Sequence, residues 1–554
     1  MQLYNSLSKK IETFVPLKKD GPVGVYACGP TVYWYPQIGN WRSFVTCDLL
    51  VRTLTYFGYD VHFVMNITDV GHLTGDNLGD ADTGEDRLEK GAKREGKTAW
   101  DVAKYYSDDF TQGFDKLNLI KPTLEDGKEG YCVATDHIKE QIEMVRAIEK
   151  KGYAYTISDG VYFDVQAFEK DGNEYGLMSN IHKDNVEGRL AENQEKRDNR
   201  DFALWKFSKQ LNAECRMQNV GYEERGVDRQ MEWWFDGPLA GEILTKENWE
   251  KEMGRILTSS TRTRGSRTDI SAFDTVGFPG WHIECSAMSV KYLGEQFDIH
   301  LGGEDHKSTH HPNEIVQAEV ATGKRPFVKY WMHTAFLQVD GGRMGKSLGN
   351  AYTLQGVVAK GYKPEHLRYF YLGGHYRQPL NFTWTSLDAA KIAYEKLVAR
   401  MKEMDRIVKN QQSEADSQNE EMKKVVLAYE RRFQDVLGDD LNMPKVLALL
   451  WEVVKSEELN PEGKLFLILN WDDVLGLKLS DKLEVKSHTY LNEKNKLVIE
   501  SDLDLKLNVI ELIEERETVR REKDWAKSDE IRVQLAEMGF SLVDREGKVR
   551  VSKS

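Results

Sequence analysis

Residues 23 to 28 (VGVYAC) form a short apolar run rich in Val and Tyr, followed by a Gly/Pro break and then an apolar-periodic stretch from Ile38 to Phe57. Gly58 closes that stretch, and YDVHFVMNI after it reads as a second strand. Strand, helix and strand in this order predict a parallel βαβ unit. Ligands of such units sit at the carboxyl ends of the strands, which places Cys28, Gly29 and residues 66–69 where a nucleotide or substrate would bind.

Residues 81–98 are charged and Gly-bearing and read as a solvated loop or helix face without a catalytic role. A helix is expected around His137 to Lys150, then strands at YAYTI and GVYFDV. The polar stretch 209–275, with its tract TSSTRTRGSRTD, suggests an exposed, partly mobile insertion, within which Trp233 and Trp234 suit local packing better than stacking on RNA. Parallel-sheet patterning returns with FDIHLGGEDH and YWMHTAFLQVD, so the first βαβ unit should be completed by a second half. Beyond residue 385 the pattern turns helical, interrupted by the acidic QQSEADSQNEE, and a long helix up to Gly539 precedes a hairpin at FSLVDREGKVRV.

These elements predict an α/β fold. A Rossmann-like catalytic domain (1–119 and 276–340) is split by a connective insertion (120–275) and followed by a loop region (341–385), a helical domain (386–485) and a small α+β module (486–554).

Composition narrows the classes. The 554 residues are 40% apolar and 30% charged, no run of about 18 uncharged apolar residues exists, and MQLYNSLSKK lacks the apolar core of a secretion signal, so a soluble cytoplasmic protein without a membrane partner is expected. Five cysteines, an odd number at irregular spacing, do not make a disulfide framework; reduced thiols or metal ligands fit better. A net charge of -14 argues against indiscriminate nucleic-acid binding but leaves room for a local basic face.

Cys285, His310 and Glu314 lie in one segment, WHIECSAMS followed by HHPNEI. Pro312 suits the first turn of a helix, from which His310 and Glu314, four apart, face one way. With Cys28 from the end of the first strand they make a credible zinc set, since soft thiolates disfavour magnesium and calcium. An isolated H-x-x-x-E is a weak signal, and a lone Cys is most often a small buried hydrophobe.

Longer strings carry the argument further. ACGPTVY, NITDV, DFALWK, FPGWHIECSAMS, FDIHLGGEDH, HHPNEI, YWMHT, RMGKSLGN, LRYFYLGGHYRQPLNF and EKDWAKSDEIRVQLAEMG, in that order, resemble the cysteinyl-tRNA synthetases of class I over nearly the whole chain. The resemblance implies one Zn2+ per chain on Cys28, Cys285, His310 and Glu314, recognising the thiol of L-cysteine, with Gly29, Thr31, Thr68 and Trp281 around that substrate. It implies ATP, with Mg2+, bound against two signature strings, here Gln37-Ile38-Gly39-Asn40 and Arg343-Met344-Gly345-Lys346-Ser347. Both depart from the family pattern: Gln37 cannot carry the charge of an imidazolium, Asn40 keeps a donor, and Gly345 should loosen its loop. Lys346 is the expected phosphate contact and Arg343 a second cation; Gly302, Gly303 and Asp305 would face the adenosine. The implied partner is tRNA(Cys), bound by the helical region and the C-terminal module, whose Arg520, Arg521, Lys523 and Lys527 are mixed with acids. A cysteine ligase for a small amine, or an RNA-binding paralogue without catalysis, are the competing readings.

Overall fold

The computed structural model describes all residues except 20, 72–85, 126, 180–194, 209–221, 223–228, 259–272, 274, 346–347, 411–418, 484–487, 493–496, 502–506, 522–523, 546–547 and 554. The chain divides into two compact units, one of residues 1–391 with 435–444, the other of 392–434 with 445–554.

The first unit is built on five parallel strands. The elements run β1 (Val23–Ala27), α1 (Ile38–Tyr56), β2 (Val61–Ile67), β3 (Cys132–Val133), α2 (Ile138–Lys150), α3 (Trp281–Leu293), β4 (Phe297–Gly303), α4 (His310–Thr322) and β5 (Val328–Thr334). Their spatial order is β5-β4-β1-β2-β3. All five residues of β1 are buried, as expected for a parallel strand covered on both faces. The chain builds β1, β2 and β3 outward in one direction and then returns to lay β4 and β5 on the other side. The switch therefore falls between β1 and β4, and the crevice at their carboxyl ends is where such sheets bind ligands.

The split runs differently from the expected boundaries. Strand β3, placed in the insertion by its position after residue 120, pairs with the end of β2 (Asn66 with Cys132, Ile67 with Val133). Residues 277–279, expected to open the second half, are instead the last strand of an antiparallel sheet formed by Ala154–Ile157, Gly160–Phe163, Ala203–Phe207 and Gly277–Pro279. Of the charged segment 81–98, expected as a solvated loop or helix face, the described part holds the helix Arg87–Glu95, with Leu88, Glu89, Gly91 and Ala92 buried. A further expectation is corrected. The described part of 209–275 is not an exposed polar insertion: Trp234, Leu244, Trp249 and Val276 form a core, Trp233 pairs through its backbone with Gly277, and Lys246–Thr258 is helical. Its tract TSSTRTRGSRTD lies mostly outside the described residues.

A three-stranded sheet of Leu337–Val339, Gly342–Arg343 and Leu380–Phe382 follows β5 and carries the second signature string. Two buried polar hubs fasten this unit. Asp48 of α1 accepts from Arg368 Nη2 at 2.5 Å, Arg52 Nε at 2.9 Å and Ile120 N at 2.7 Å. Arg42, 2% exposed, donates to the carbonyls of Ala335, Phe336, His375 and Gln378 at 2.8, 3.1, 2.9 and 2.6 Å.

In the second unit the helix Pro461–Leu475 starts on an Asn460 cap with Pro at its first turn and ends at Gly476 in the left-handed region. Its Trp471 stacks on Phe433 at 4.5 Å. The C-terminal module is a four-stranded sheet, His488–Asn492, Leu497–Ser501, Lys548–Lys553 and Phe540–Arg545 in spatial order, with two helices, Leu507–Arg521 and Trp525–Glu537. The single long helix expected up to Gly539 is broken at Asp524, whose side chain caps the second piece at Lys527 N. Arg520 and Lys527 pair with Glu517 and Glu515.

Candidate functional site

The site grows from the end of β1. Cys28 N–H continues the ladder onto Leu301 O at 3.1 Å, and Gly29 N–H reaches Asn66 Oδ1 at 2.8 Å. A Cβ on Gly29 would stand 1.6 Å from Asn66 O, so only glycine fits there. The chain then runs beside the end of β2: Val32 N donates to Thr68 O, Thr68 N to Pro30 O, and Thr31 pairs with Thr68. These residues open a cleft of about 980 Å³ at the switch point.

On the cleft floor, one ligand atom each from Cys28, Cys285, His310 and Glu314 lies within 4.8 Å of the others. Cys285 occupies the second turn of α3; His310 and Glu314 share the start of α4, where His310 Nε2 is 3.0 Å from Glu314 Oε1. All four are buried or nearly so. The electrostatics suit a cation. Hydrogen bonding from Cys28 and the nearby His310 outweigh burial and bring the Cys285 thiol down to about 6, while burial and the second sulfur push Cys28 up. Burial opposes charge on Glu314, but His300 and His310 hold its carboxyl well below the usual range; burial likewise opposes protonation of His310, yet Glu314 and Cys285 raise it to about 10. Two soft sulfurs, an imidazole and a carboxylate converging at buried positions fit a zinc ion.

Four further histidines missed by the sequence reading surround this set. His300 Nε2 engages Glu314 Oε2 at 2.9 Å, His282 Nδ1 approaches His310 Nδ1 at 2.9 Å, and His311 Nδ1 meets His333 Nε2 at 2.8 Å while its Nε2 lies 3.5 Å from Cys28 Sγ. Cys28, His300, His311 and Glu314 also come within metal-holding distance of one another. The signal was present: His282 and His300 stand inside the quoted strings, at buried positions of a helix and a strand. Trp281 stacks over His310 at 4.4 Å and lines the cleft, as do Thr31 and Thr68. Glu284, also missed, is fully buried and is pushed well up by burial and by Cys285, against the pull of Thr68.

The two nucleotide strings meet at the rim. Gln37 precedes α1, and its N–H is held by Asn40 Oδ1 at 2.9 Å, which leaves the Asn40 amide nitrogen as donor. The first helical N–H, of Ile38, is already taken by Tyr352 O at 2.9 Å, so the helix start has one fewer donor for phosphate than its position suggests. A Cβ on Gly39 would come 2.7 Å from Met344 Cε, which brings the second string against the first. Gln37, Asn40, Arg343 and Met344 all line the cleft; Lys346 lies outside the described residues. Beside Gly345, Asn350 accepts from Gly345 N at 2.8 Å and donates to Arg343 O at 3.1 Å. Gly302, Gly303 and Asp305 form the opposite rim, where a Cβ on Gly302 would crowd His306 and His311.

Comparison with known proteins agrees with this layout. Residues 13–218 and 264–392 match the family of tRNA synthetases class I (C) catalytic domain, and residues 502–551 match the cysteinyl-tRNA ligase anticodon binding domain. The fold is shared with the Agrobacterium radiobacter K84 agnB2 LeuRS–tRNA–LeuAMS ternary complex, at a TM-score of 0.50 and 12% identity, covering 97% of this chain and 96% of that one. Sheet, switch-point cleft and signature strings thus define a class I aminoacyl-tRNA synthetase catalytic domain.

Curated relatives narrow the class. The chain is 35% identical to a Cysteine--tRNA ligase of Treponema denticola, covering 100% of this chain and 99% of that one. It is 38% identical to Cysteine--tRNA ligase 1 of Burkholderia lata, covering 98% and 95%. The protein belongs to the cysteine–tRNA ligase family.

Proposed function

We propose that the protein activates L-cysteine with ATP to cysteinyl-adenylate, releasing pyrophosphate, and transfers the cysteinyl group to the 3' ribose of tRNA(Cys), releasing AMP. The observation that carries this is the convergence of two sulfurs, an imidazole and a carboxylate on the floor of the cleft whose rim bears both nucleotide strings. Cys28, Cys285, His310 and Glu314 hold the zinc. His300 binds one oxygen of Glu314, which leaves the other aimed at the centre, an arrangement that orients a ligating carboxylate. When bound, the metal supplies a Lewis acid that takes sulfur far more readily than a hydroxyl, the discrimination that cavity shape alone cannot make between cysteine and serine.

The chain's own residues do the rest. The 28–32 strap with Thr31, Thr68 and Trp281 positions the amino acid so that its carboxylate points from the floor toward the rim. Gln37, Asn40, Arg343 and Lys346 stabilise charge on the phosphates of the Mg2+-bound ATP, and Gly39, Gly302, Gly303 and Asp305 receive the adenosine. Attack of the carboxylate on the α-phosphate is then favoured by orientation, with no covalent enzyme intermediate. Residues 276–340 complete the catalytic domain begun at 1–119 and β3, and the helical region and C-terminal module bind tRNA(Cys). No helix among the described residues is long and apolar enough to cross a membrane, and the cytoplasm is the proposed compartment.

Cysteine-dependent ATP–pyrophosphate exchange tests the reading, with serine as competitor and Cys285→Ser as control. The wild type should exchange with cysteine and not with serine, and C285S should lose bound zinc together with most of its exchange. Absence of exchange in zinc-loaded wild type refutes the ligase reading.

A further inference from the structure

The cleft has a second wall that neither the metal set nor the nucleotide strings use. Tyr33, Trp34 and Tyr35 follow the 28–32 strap and line the cleft. The rings of Trp34 and Tyr35 meet edge to face at 5.6 Å. Behind them runs the helix Arg87–Glu95, the segment that the sequence reading left without a role. Its Arg87 lies 5.2 Å from the centre of the Tyr33 ring and donates to the Tyr33 hydroxyl at 3.1 Å. Arg94 covers the Trp34 ring at 4.2 Å, and Lys97 sits 4.8 Å over Tyr105, whose hydroxyl meets that of Tyr35 at 2.7 Å. Residues 87–97 hold five basic and two acidic side chains in a chain whose net charge is -14. Of the two acids, Glu89 is buried and accepts from Gln230 N at 2.7 Å, and Glu95 pairs with Arg94 at 2.7 Å and with Lys97 at 3.3 Å, so the segment keeps a net charge of +3.

Aromatic rings edged by cations are the chemistry of single-stranded nucleic acid: bases stack on rings, and phosphates follow the charges. We infer that this wall of Tyr33, Trp34 and Tyr35, backed by Arg87, Arg94 and Lys97, receives the single-stranded 3' end of tRNA. The inference rests on the ligase reading above, under which a ribose hydroxyl of the terminal nucleotide must enter this cleft to meet the adenylate. The wall adjoins the strap that positions the amino acid, so a base stacked there brings its ribose toward the activated carboxyl. The basic helix answers how an acidic protein grips this end of a polyanion: the charge is local, with Arg87 on the cleft and Arg94 and Lys97 against the aromatic rings beside it.

The test uses the full chain with Trp34→Ala and Trp34→Phe, and tRNA(Cys) either intact or trimmed of its single-stranded 3' end. Losing one stacking platform should lower kcat/KM for tRNA by about fivefold or more beyond any loss in tRNA-independent exchange, and W34F should recover most of it. The binding advantage of intact over trimmed tRNA should shrink in W34A by a similar factor. Equal losses in exchange and aminoacylation would overturn the inference, because the wall would then serve adenylate formation or folding. So would an undiminished advantage of intact tRNA in W34A. Failure of the wild type to exchange at all strikes the ligase reading instead.

Discussion

Replacing Arg42 by Met tests how the fold reaches the nucleotide site. The guanidinium is buried with no hydrogen-bonded carboxylate among the described residues; burial lowers it to about 10 against the pull of Tyr371 and Glu304, so it stays charged at neutral pH and four carbonyls take its hydrogen bonds. Methionine fills similar space but leaves those carbonyls without this donor, at about 1 kcal/mol or more each, offset in part because the unpaired cation no longer has to be desolvated. The net loss should be about 3 kcal/mol. In urea that is a midpoint about 1 M lower, taking a slope near the upper end of the usual range. Arg42→Lys should recover less than half, since one ammonium cannot reproduce a fork that serves four acceptors. Ala335 and Phe336 lead directly into the strand before Arg343, so the KM for ATP in exchange should rise in R42M at temperatures where the variant is fully folded. A midpoint within about 0.2 M of wild type, or lost stability with an unchanged KM for ATP, would refute the reasoning.

Gly29→Ala forces a methyl group to 1.6 Å from Asn66 O, so the 28–32 strap must shift; exchange should fall about 100-fold, and retained activity would show that the strap is not fixed as described. Asp69 is 6% exposed, and burial raises its carboxyl to about 6 against the pull of hydrogen bonds from Thr135 N and Oγ1. Because the folded state holds that proton more tightly than the unfolded one, the contribution to stability is full below about pH 4 and lost as pH rises through about 6. Asp69→Asn should therefore gain on the wild type between those values, by up to about 3 kcal/mol at pH 7; urea midpoints at pH 4.5 and 7 that differ by a constant amount would sink this. The loss of zinc and exchange in C285S, and the selective loss of tRNA kinetics in W34A, are the functional counterparts.

The parallel core was legible because long, strongly patterned elements carry it: the run 23–28, the periodic stretch closing at Gly58, and Pro312 at a helix start all read directly from local chemistry. Strand β3 was not legible, since two residues carry no period and its pairing with Asn66 and Ile67 is set by distant chain. At 87–95 a helix face was one of two readings of the charges, but its buried side was not legible. Its N-cap Asp86 is bound by Arg229 and its Glu89 by Gln230, partners more than a hundred residues away that no local pattern reveals. The four proposed ligands and the histidines around them stand in the same strings, but only the ligands were legible there, because a buried histidine looks like any other in sequence until its neighbours across the sheet are known.

The split of the sheet also sets a timetable. Cys28 and Glu314 are separated by 286 positions, and at about 5–20 residues per second of synthesis the first sulfur leaves the ribosome some tens of seconds before its partners exist. During that interval the β1-α1-β2 segment holds Cys28 without its partner ligands and leaves uncovered the strand edge where β4 will later pair. The centre cannot be loaded until Glu314 has been made, so the sulfur of the first half waits for the second.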